Sequence, residues 1–483
     1  MEDSSKTKTN KWLIFSFVAI GVFMSTLDGS IVNIALPSIM KNLSADFSVI
    51  GWVVVIYLLT VTSFLLCFGR LSDIIGRRKV FTFGLTTFAA GSLCCALSQG
   101  AWFLILSRSF QGFGAAMIMA CSAALITDTF PASERGKAMG AIGTVVAAGL
   151  TAGPALGGFI LTYFSWRMIF IINIPIGLIT AVIVSKLLKN TAADTTIPEP
   201  FDWTGAVLLV LSISFFLLFI TTGSETGYTS IKIIFIGVTA MISTGALIFW
   251  EGRVPYPLVD LSLFSVRLFT LPIITAVILF MTLFIMNFLM PFYLTLPRGL
   301  KESQTGYMMM IPFAFLFVMS PVSGIISDRF GSRVLCTIGM IIMTIALFSL
   351  ASLKADSSLI DIGWRMALAG LGTSIFLPPN SSTVMSAVKS QKRGLAGGIV
   401  AAARNFGMVT GVALAGAVFS HYYYTLSRGM NVRTYTPEFA PIFMEAFQAA
   451  LFTGGCVAVL GILLSALRGP EKRFLEPVKK QPK

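Results

Sequence analysis

Gly69-Arg70-Leu71-Ser72-Asp73-Ile74-Ile75-Gly76-Arg77-Arg78 recurs 255 residues later as Gly324-Ile325-Ile326-Ser327-Asp328-Arg329-Phe330-Gly331-Ser332-Arg333. Two fainter echoes keep the same order at an offset of 258. Glu134-Arg135-Gly136-Lys137-Ala138 returns as Lys392-Arg393-Gly394-Leu395-Ala396, and Gly153-Pro154-Ala155-Leu156-Gly157-Gly158 as Gly411-Val412-Ala413-Leu414-Ala415-Gly416. Each match is weak alone. In order, and at nearly constant spacing, they mark a duplicated unit.

The sequence around these stretches is apolar. Of 483 residues, 55% are hydrophobic and 12% charged, against about 25% charged in a soluble domain. Apolar runs long enough to cross a bilayer as helices recur from end to end. They lack the alternation of barrel strands, and only helices or closed barrels satisfy their backbone in lipid. The runs fall near 12–40, 50–69, 79–98, 102–126, 138–162, 168–186, 203–222, 232–250, 269–296, 305–326, 334–353, 364–386, 395–420 and 442–467. The expected fold is therefore an all-α polytopic membrane protein with fourteen transmembrane helices. The repeat divides it into a six-helix bundle (1–190), two inserted central helices with a linker (191–268), and a second six-helix bundle with a tail (269–483).

All seven tryptophans lie near span ends, as amphipathic rings at a membrane interface do. An even span number puts both termini on one side. If that side is the cytoplasm, inner segments carry 24 Lys and Arg and outer segments nine, with Arg108 and Arg404 inside spans. This asymmetry places both termini in the cytoplasm. It also accounts for the net charge of +14 without a nucleic-acid partner, because the charges are dispersed over many loops. The first apolar run is too long for a cleaved signal and holds Asp28. The six cysteines show no metal-ligand spacing and read as small core residues. No phosphate-binding loop of the G-x-x-x-x-G-K-[S/T] type occurs. The sequence points to no enzyme, cofactor or metal.

Four motifs then carry a resemblance over nearly the whole chain. They are Leu27-Asp28-Gly29-Ser30-Ile31-Val32-Asn33-Ile34-Ala35-Leu36-Pro37, the Gly69–Lys79 loop, Leu106-Ser107-Arg108-Ser109-Phe110-Gln111-Gly112-Phe113-Gly114, and Gly149-Leu150-Thr151-Ala152-Gly153-Pro154-Ala155-Leu156-Gly157-Gly158. In order and in the right spans they resemble the major facilitator superfamily, and within it the fourteen-span drug:proton antiporters. The resemblance implies two bundles rocking about a central cavity. It implies a proton-coupled exporter of amphipathic organic compounds in the plasma membrane, expected to be a monomer. Two alternatives stand beside it: export of one endogenous metabolite, lipid or peptide, and a membrane sensor that no longer transports.

The residues themselves bear on this. Asp28 is the one carboxylate deep in the apolar runs, and its charge there is costly unless it meets a cavity or a partner. It reads as a proton or cargo site, or as a hydrogen-bonding group between helices. Arg108 is given a coupling role by the resemblance; the alternative is snorkelling toward headgroups. Counted along upright helices, Arg108 sits ~9 Å and Asp28 ~18 Å from the outer end, which leaves their pairing open. Asn33, Gln111, Asn287 and Asn380 (after Pro378-Pro379) are polar interruptions where a cavity would pass. Arg404 and Asn405 lie mid-span, for an anion contact or for bonds to backbone carbonyls. Gly149, Gly153 and Gly157 repeat every four residues and give a face for close helix approach, with Pro154 and Gly158 beside them. The family implies a seal here; plain packing is the alternative. Gly69, Arg70, Asp73, Gly76, Arg77 and Arg78 form a short charged turn, either a latch for the outward-open state or a topology determinant. Asp328 is its weaker duplicate. Leu258 to Phe269 reads as a short interfacial helix.

A cysteine introduced at Ala192 should therefore resist membrane-impermeant labelling of intact cells, whereas one at Asn431 should label. Efficient external labelling at Ala192 would reverse the orientation.

Overall fold

The computed structural model describes residues 11–131, 134–187, 201–255, 257–388, 393–430, 432 and 435–469. Among these it contains no strand. The helices are α1 (Lys11–Asn42), α2 (Phe47–Ile75), α3 (Arg77–Ala96), α4 (Ala101–Thr129), α5 (Arg135–Tyr163), α6 (Met168–Ile171) and α7 (Asn173–Leu187). The inserted pair is α8 (Trp203–Thr226) and α9 (Ile231–Glu251). The second half is α10 (Arg267–Thr295), α11 (Glu302–Phe330), α12 (Ser332–Leu350), α13 (Leu359–Ser386), α14 (Arg393–Leu426) and α15 (Ala440–Ala466). With α6 and α7 counted as one span, fourteen helical segments are long and apolar enough to cross a membrane.

Local chemistry sets the breaks. The sixth span is interrupted at Ile172, and Pro175 supplies the cause: it has no N–H for the carbonyl of Ile171 four residues earlier. The α2–α3 turn runs through Gly76 at φ 102°, and the α11–α12 turn through Gly331 at φ 82°. Both are left-handed positions that favour glycine. Each glycine N–H caps the preceding helix, on Ser72 O at 3.0 Å and Ser327 O at 2.9 Å. These glycines are 255 residues apart, the offset of the repeat. The expected helix at Leu258 to Phe269 is shorter in the structure. Only Leu261–Ser265 forms a 3-10 turn, opened by the Asp260 carboxylate accepting from Ser262 N, and α10 starts at Arg267.

Packing repeats with the sequence. α3 crosses α4 where a side chain on Gly114 would meet Gly84 O at 2.7 Å and the backbone of Phe88. α12 crosses α13 where a side chain on Gly372 would meet Gly339 O and Met343 N at 2.8 Å. The same pattern joins α1 to α5 and α10 to α14, through Gly149 against Phe23 O and Gly407 against Val277 O. These are the two six-helix bundles. The inserted pair lies outside them, with α8 packed on both α2 and α14, one helix from each half. No disulfide joins the cysteines; Cys456 faces outward, Cys94 is half-buried and the other four are buried.

Valine at Gly114 or at Gly372 should each cost about 1–3 kcal/mol or more, because the neighbours to be displaced are backbone. Gly245→Ala, with no atom within 4 Å of the new methyl, should leave thermal unfolding unchanged or raised. Equal melting of all three purified variants would contradict the crossing geometry.

Candidate functional site

Asp28 and Arg108 meet. The Arg108 Nη1 donates to Asp28 Oδ2, and neither side chain is exposed. The depth count along upright helices left this pairing open because it took no account of the reach of the arginine side chain. Asp28 Oδ1 accepts from Gln111 Nε2 at 3.0 Å and from Asn173 Nδ2 at 3.0 Å. The carboxylate thus has three donors. Arg108 Nη1 also donates to Gln111 Oε1 at 2.6 Å, and its Nε to the Val53 carbonyl at 3.2 Å. The guanidinium stacks on Tyr57, 4.0 Å from the ring centre. Tyr57 in turn donates to the Ser25 carbonyl at 3.0 Å, and Gln111 to Ser92 Oγ at 2.8 Å. Five helices, α1, α2, α3, α4 and α7, therefore converge on one ion pair. Asp28 points into the first bundle rather than onto an open cavity.

Sequence reading missed Asn173, Tyr57 and Ser92. Asn173 carried a signal, since it is a polar residue two positions before Pro175 in an otherwise apolar span. The break before it starts α7 at the residue that reaches Asp28. Arg108 Nη2 has no hydrogen-bond partner.

The other polar residues do not join this cluster. Asn33 is buried; its Nδ2 donates to Gly29 O at 3.4 Å and its Oδ1 has no partner. Asn287 Nδ2 and Asn405 Nδ2 are likewise buried and unpartnered. Asn380 Nδ2 donates to Pro272 O at 3.2 Å, while its Oδ1 has no partner. Arg404 is half-buried, its Nε without a partner, and it forms no ion pair among the described residues.

The glycine motif faces two ways. Gly149, Gly153 and Gly157 close on α1 within the first bundle, against Thr26, Ser30 and Ile31. Gly158 turns to the second bundle, where a side chain would meet Gly306 Cα and Glu302 O at 3.0 Å. A side chain on Gly306 would meet the Pro154 carbonyl at 2.6 Å. Gly306 is a partner that sequence reading did not foresee. This α5–α11 contact lies toward the end of the molecule remote from the chain termini. Nearby, Ser38 Oγ donates to Glu302 Oε1 at 3.4 Å. On the opposite side of that end Phe47 packs on Phe288, Phe292 and Phe419, at centroid distances of 5.5, 4.8 and 4.6 Å.

At the other end, Asp73 accepts from Arg77 at 2.8 Å, and Arg77 also bonds Asp128 on α4. Arg78 donates to the Ser185 carbonyl on α7. Arg70 is half-buried near the end of α2, and a side chain on Gly69 would meet nothing within 4 Å. These described contacts tie the turn to its own bundle. The side chain of Asp328 falls outside the described residues.

Removing one partner of the central pair strands the other charge in a buried position. Asp28→Asn or Arg108→Met alone should cost about 3–5 kcal/mol. The double variant should recover most of that loss. If the double variant melts at the sum of the two single losses, the pair is not the coupled unit described.

A family model described as Major Facilitator Superfamily matches residues 18–411, and again 272–483. The chain is 35% identical to the riboflavin transporter RibZ of Clostridioides difficile (strain 630) over 455 residues, 94% of this chain and 97% of the relative. It is 31% identical to the multidrug resistance protein Stp of Mycobacterium tuberculosis over 416 residues, 85% of this chain and 76% of the relative. Among solved structures, a bacterial homologue of the human lysosomal transporter Spinster, inward-facing and unoccupied, superposes with a TM-score of 0.70 at 14% identity, covering 96% of this chain and 98% of that one. The shared fold, the duplicated six-helix bundles and these matches show that the chain is a membrane transporter of the major facilitator superfamily.

Proposed function

We propose that the protein exports amphipathic organic compounds in exchange for protons, by alternating access between its two bundles. The observation that carries this reading is the buried Asp28–Arg108 pair with its three-donor carboxylate. Such a pair is costly to keep in a membrane protein and marks ion pathways more often than it adds stability. A proton on Asp28 removes the charge that holds Arg108, Gln111 and Asn173 together. Five helices then lose their common tie, so proton binding changes the shape of the first bundle.

With both termini cytoplasmic, the α5–α11 and Phe47 contacts lie on the outer side. This arrangement supports a state closed outward. Rocking must break the Gly158–Gly306 approach to open it. The similarity to Stp supports efflux, and the plasma membrane and a single-chain transporter fit the same reading.

A second reading draws on a different observation. Asn33 Oδ1, Asn287 Nδ2, Asn380 Oδ1 and Asn405 Nδ2 are buried without partners. Groups of this kind reward a ligand that supplies the missing bonds and reject one that does not. They favour a dedicated carrier for one polar metabolite, and the similarity to a riboflavin transporter belongs with it.

Liposomes with an imposed pH gradient separate these. Wild-type protein should accumulate lipophilic drugs uphill, and the charge-balanced Asp28→Asn, Arg108→Met variant should fall to the level of empty liposomes. Uphill accumulation by that folded variant would remove Asp28 as the coupling site. Counterflow of riboflavin with no drug transport would favour the dedicated carrier.

A further inference from the structure

We propose that Asp202 and Glu251, on the inserted helices, form a second proton-binding site in which the two carboxyl groups share one proton. Asp202 caps α8 and Glu251 ends α9. Glu251 is only 4% exposed and Asp202 9%. A side chain on Gly205 would meet Asp202 Oδ2 and also Glu251 Oε1, at 3.1 Å from the latter, so both oxygens occupy the space over that glycine.

Their other partners are accounted for. Asp202 Oδ1 accepts from Gly205 N at 2.8 Å and from the Trp250 indole at 3.0 Å. The indole also approaches Asp202 Oδ2 at 3.2 Å. Glu251 Oε2 accepts from Val259 N at 3.2 Å. Among the described residues Glu251 Oε1 has no hydrogen bond, while the Leu258 backbone also lies near the carboxylate. An ionised carboxylate with a bare buried oxygen beside a second carboxylate is unfavourable on two counts, lost hydration and like charge. A proton on Glu251 would answer both, with its O–H facing the Asp202 carboxylate over Gly205.

Among the described residues no cation supplies that balance instead, and neither acid forms an ion pair. The surrounding elements offer other groups. Arg253 beyond α9 lies over the Phe249 ring at 3.8 Å. Asp260 in the linker accepts from Ser262. On α2, Cys67 packs under Ala206, Leu209 and Leu258, and Arg70 follows it by three residues. From α14, Phe406 stacks on Phe216 of α8.

The placement gives the proton a consequence. α8 touches both α2 and α14, and the site lies at the end of α8 that packs beside Cys67 of α2. Loss of the proton leaves two adjacent anions next to the Cys67 seam, and the proton goes to water at the end that carries the chain termini. Repulsion and hydration then loosen the inserted pair from α2.

Infrared difference spectroscopy on the purified full-length protein tests this as the medium is raised from about pH 6 to about pH 9, above the range of ordinary carboxyl titration. Wild type should lose one protonated-carboxyl carbonyl band. Glu251→Gln should lack that band, Asp202→Asn should titrate it at lower pH, and Asp28→Asn should keep it. A wild-type spectrum without the band overturns the proposal, as does a band unchanged in Glu251→Gln. Should Glu251→Gln fail to fold, an unchanged band in Asp202→Asn overturns it equally. The outcome is independent of the cargo, and a band from Asp28 is told apart because it would persist in Glu251→Gln.

Discussion

The fully buried ion pair of Asp28 and Arg108 ties together five helices of the first bundle. Neither is stable in that interior alone, so each helix that contributes a bond is held in register by the need to keep the pair satisfied. α1 gives the carboxylate, α4 the guanidinium and Gln111, α7 the Asn173 amide, and α2 the Val53 carbonyl and the Tyr57 ring. Close glycine crossings make this convergence possible. Gly91 packs so near Gln111 that a side chain there would lie 2.6 Å from its Cα. Gly112 faces Thr60 of α2 in the same way.

The second bundle repeats the scaffold without the charges. The Gly84–Gly114 crossing corresponds to Gly339–Gly372, and Gly112 to Gly370, at the repeat offsets. At the place corresponding to Arg108 stands Met366, which is fully buried. Duplication thus preserved the packing and left the ion pair to one half. The second half instead carries Arg404 and three buried amides, those of Asn287, Asn380 and Asn405, each with an atom that has no bond among the described residues. Under the proposed function this leaves energy coupling to the first bundle.

The span pattern was legible because apolar length is a strong signal, and the duplicated Gly76 and Gly331 turns sat at fixed offsets. The site was legible as residue types but not as geometry. Depth counted along upright helices left the Asp28–Arg108 pairing open, and the structure shows the contact. Asn173 escaped because its contact depends on the break that Pro175 creates. The glycine stripe was read as one face, whereas Gly158 lies a quarter turn from Gly157 and reaches a different bundle. Its partner Gly306 has no motif around it to announce the contact. The Asp202–Glu251 pair was invisible for a related reason: the two acids are 49 residues apart and meet only because α8 and α9 fold back on each other.

The most direct test of coupling between the Asp28 pair and rocking is the distance between spin labels at Tyr163→Cys on α5 and Tyr307→Cys on α11. Both sites are exposed, and the six native cysteines would be replaced by serine. In proteoliposomes, an imposed proton gradient should lengthen this distance in the otherwise native protein. The charge-balanced Asp28→Asn, Arg108→Met variant should hold one distance with or without the gradient. If that variant opens as far as the protein with the pair intact, the buried ion pair does not govern the movement.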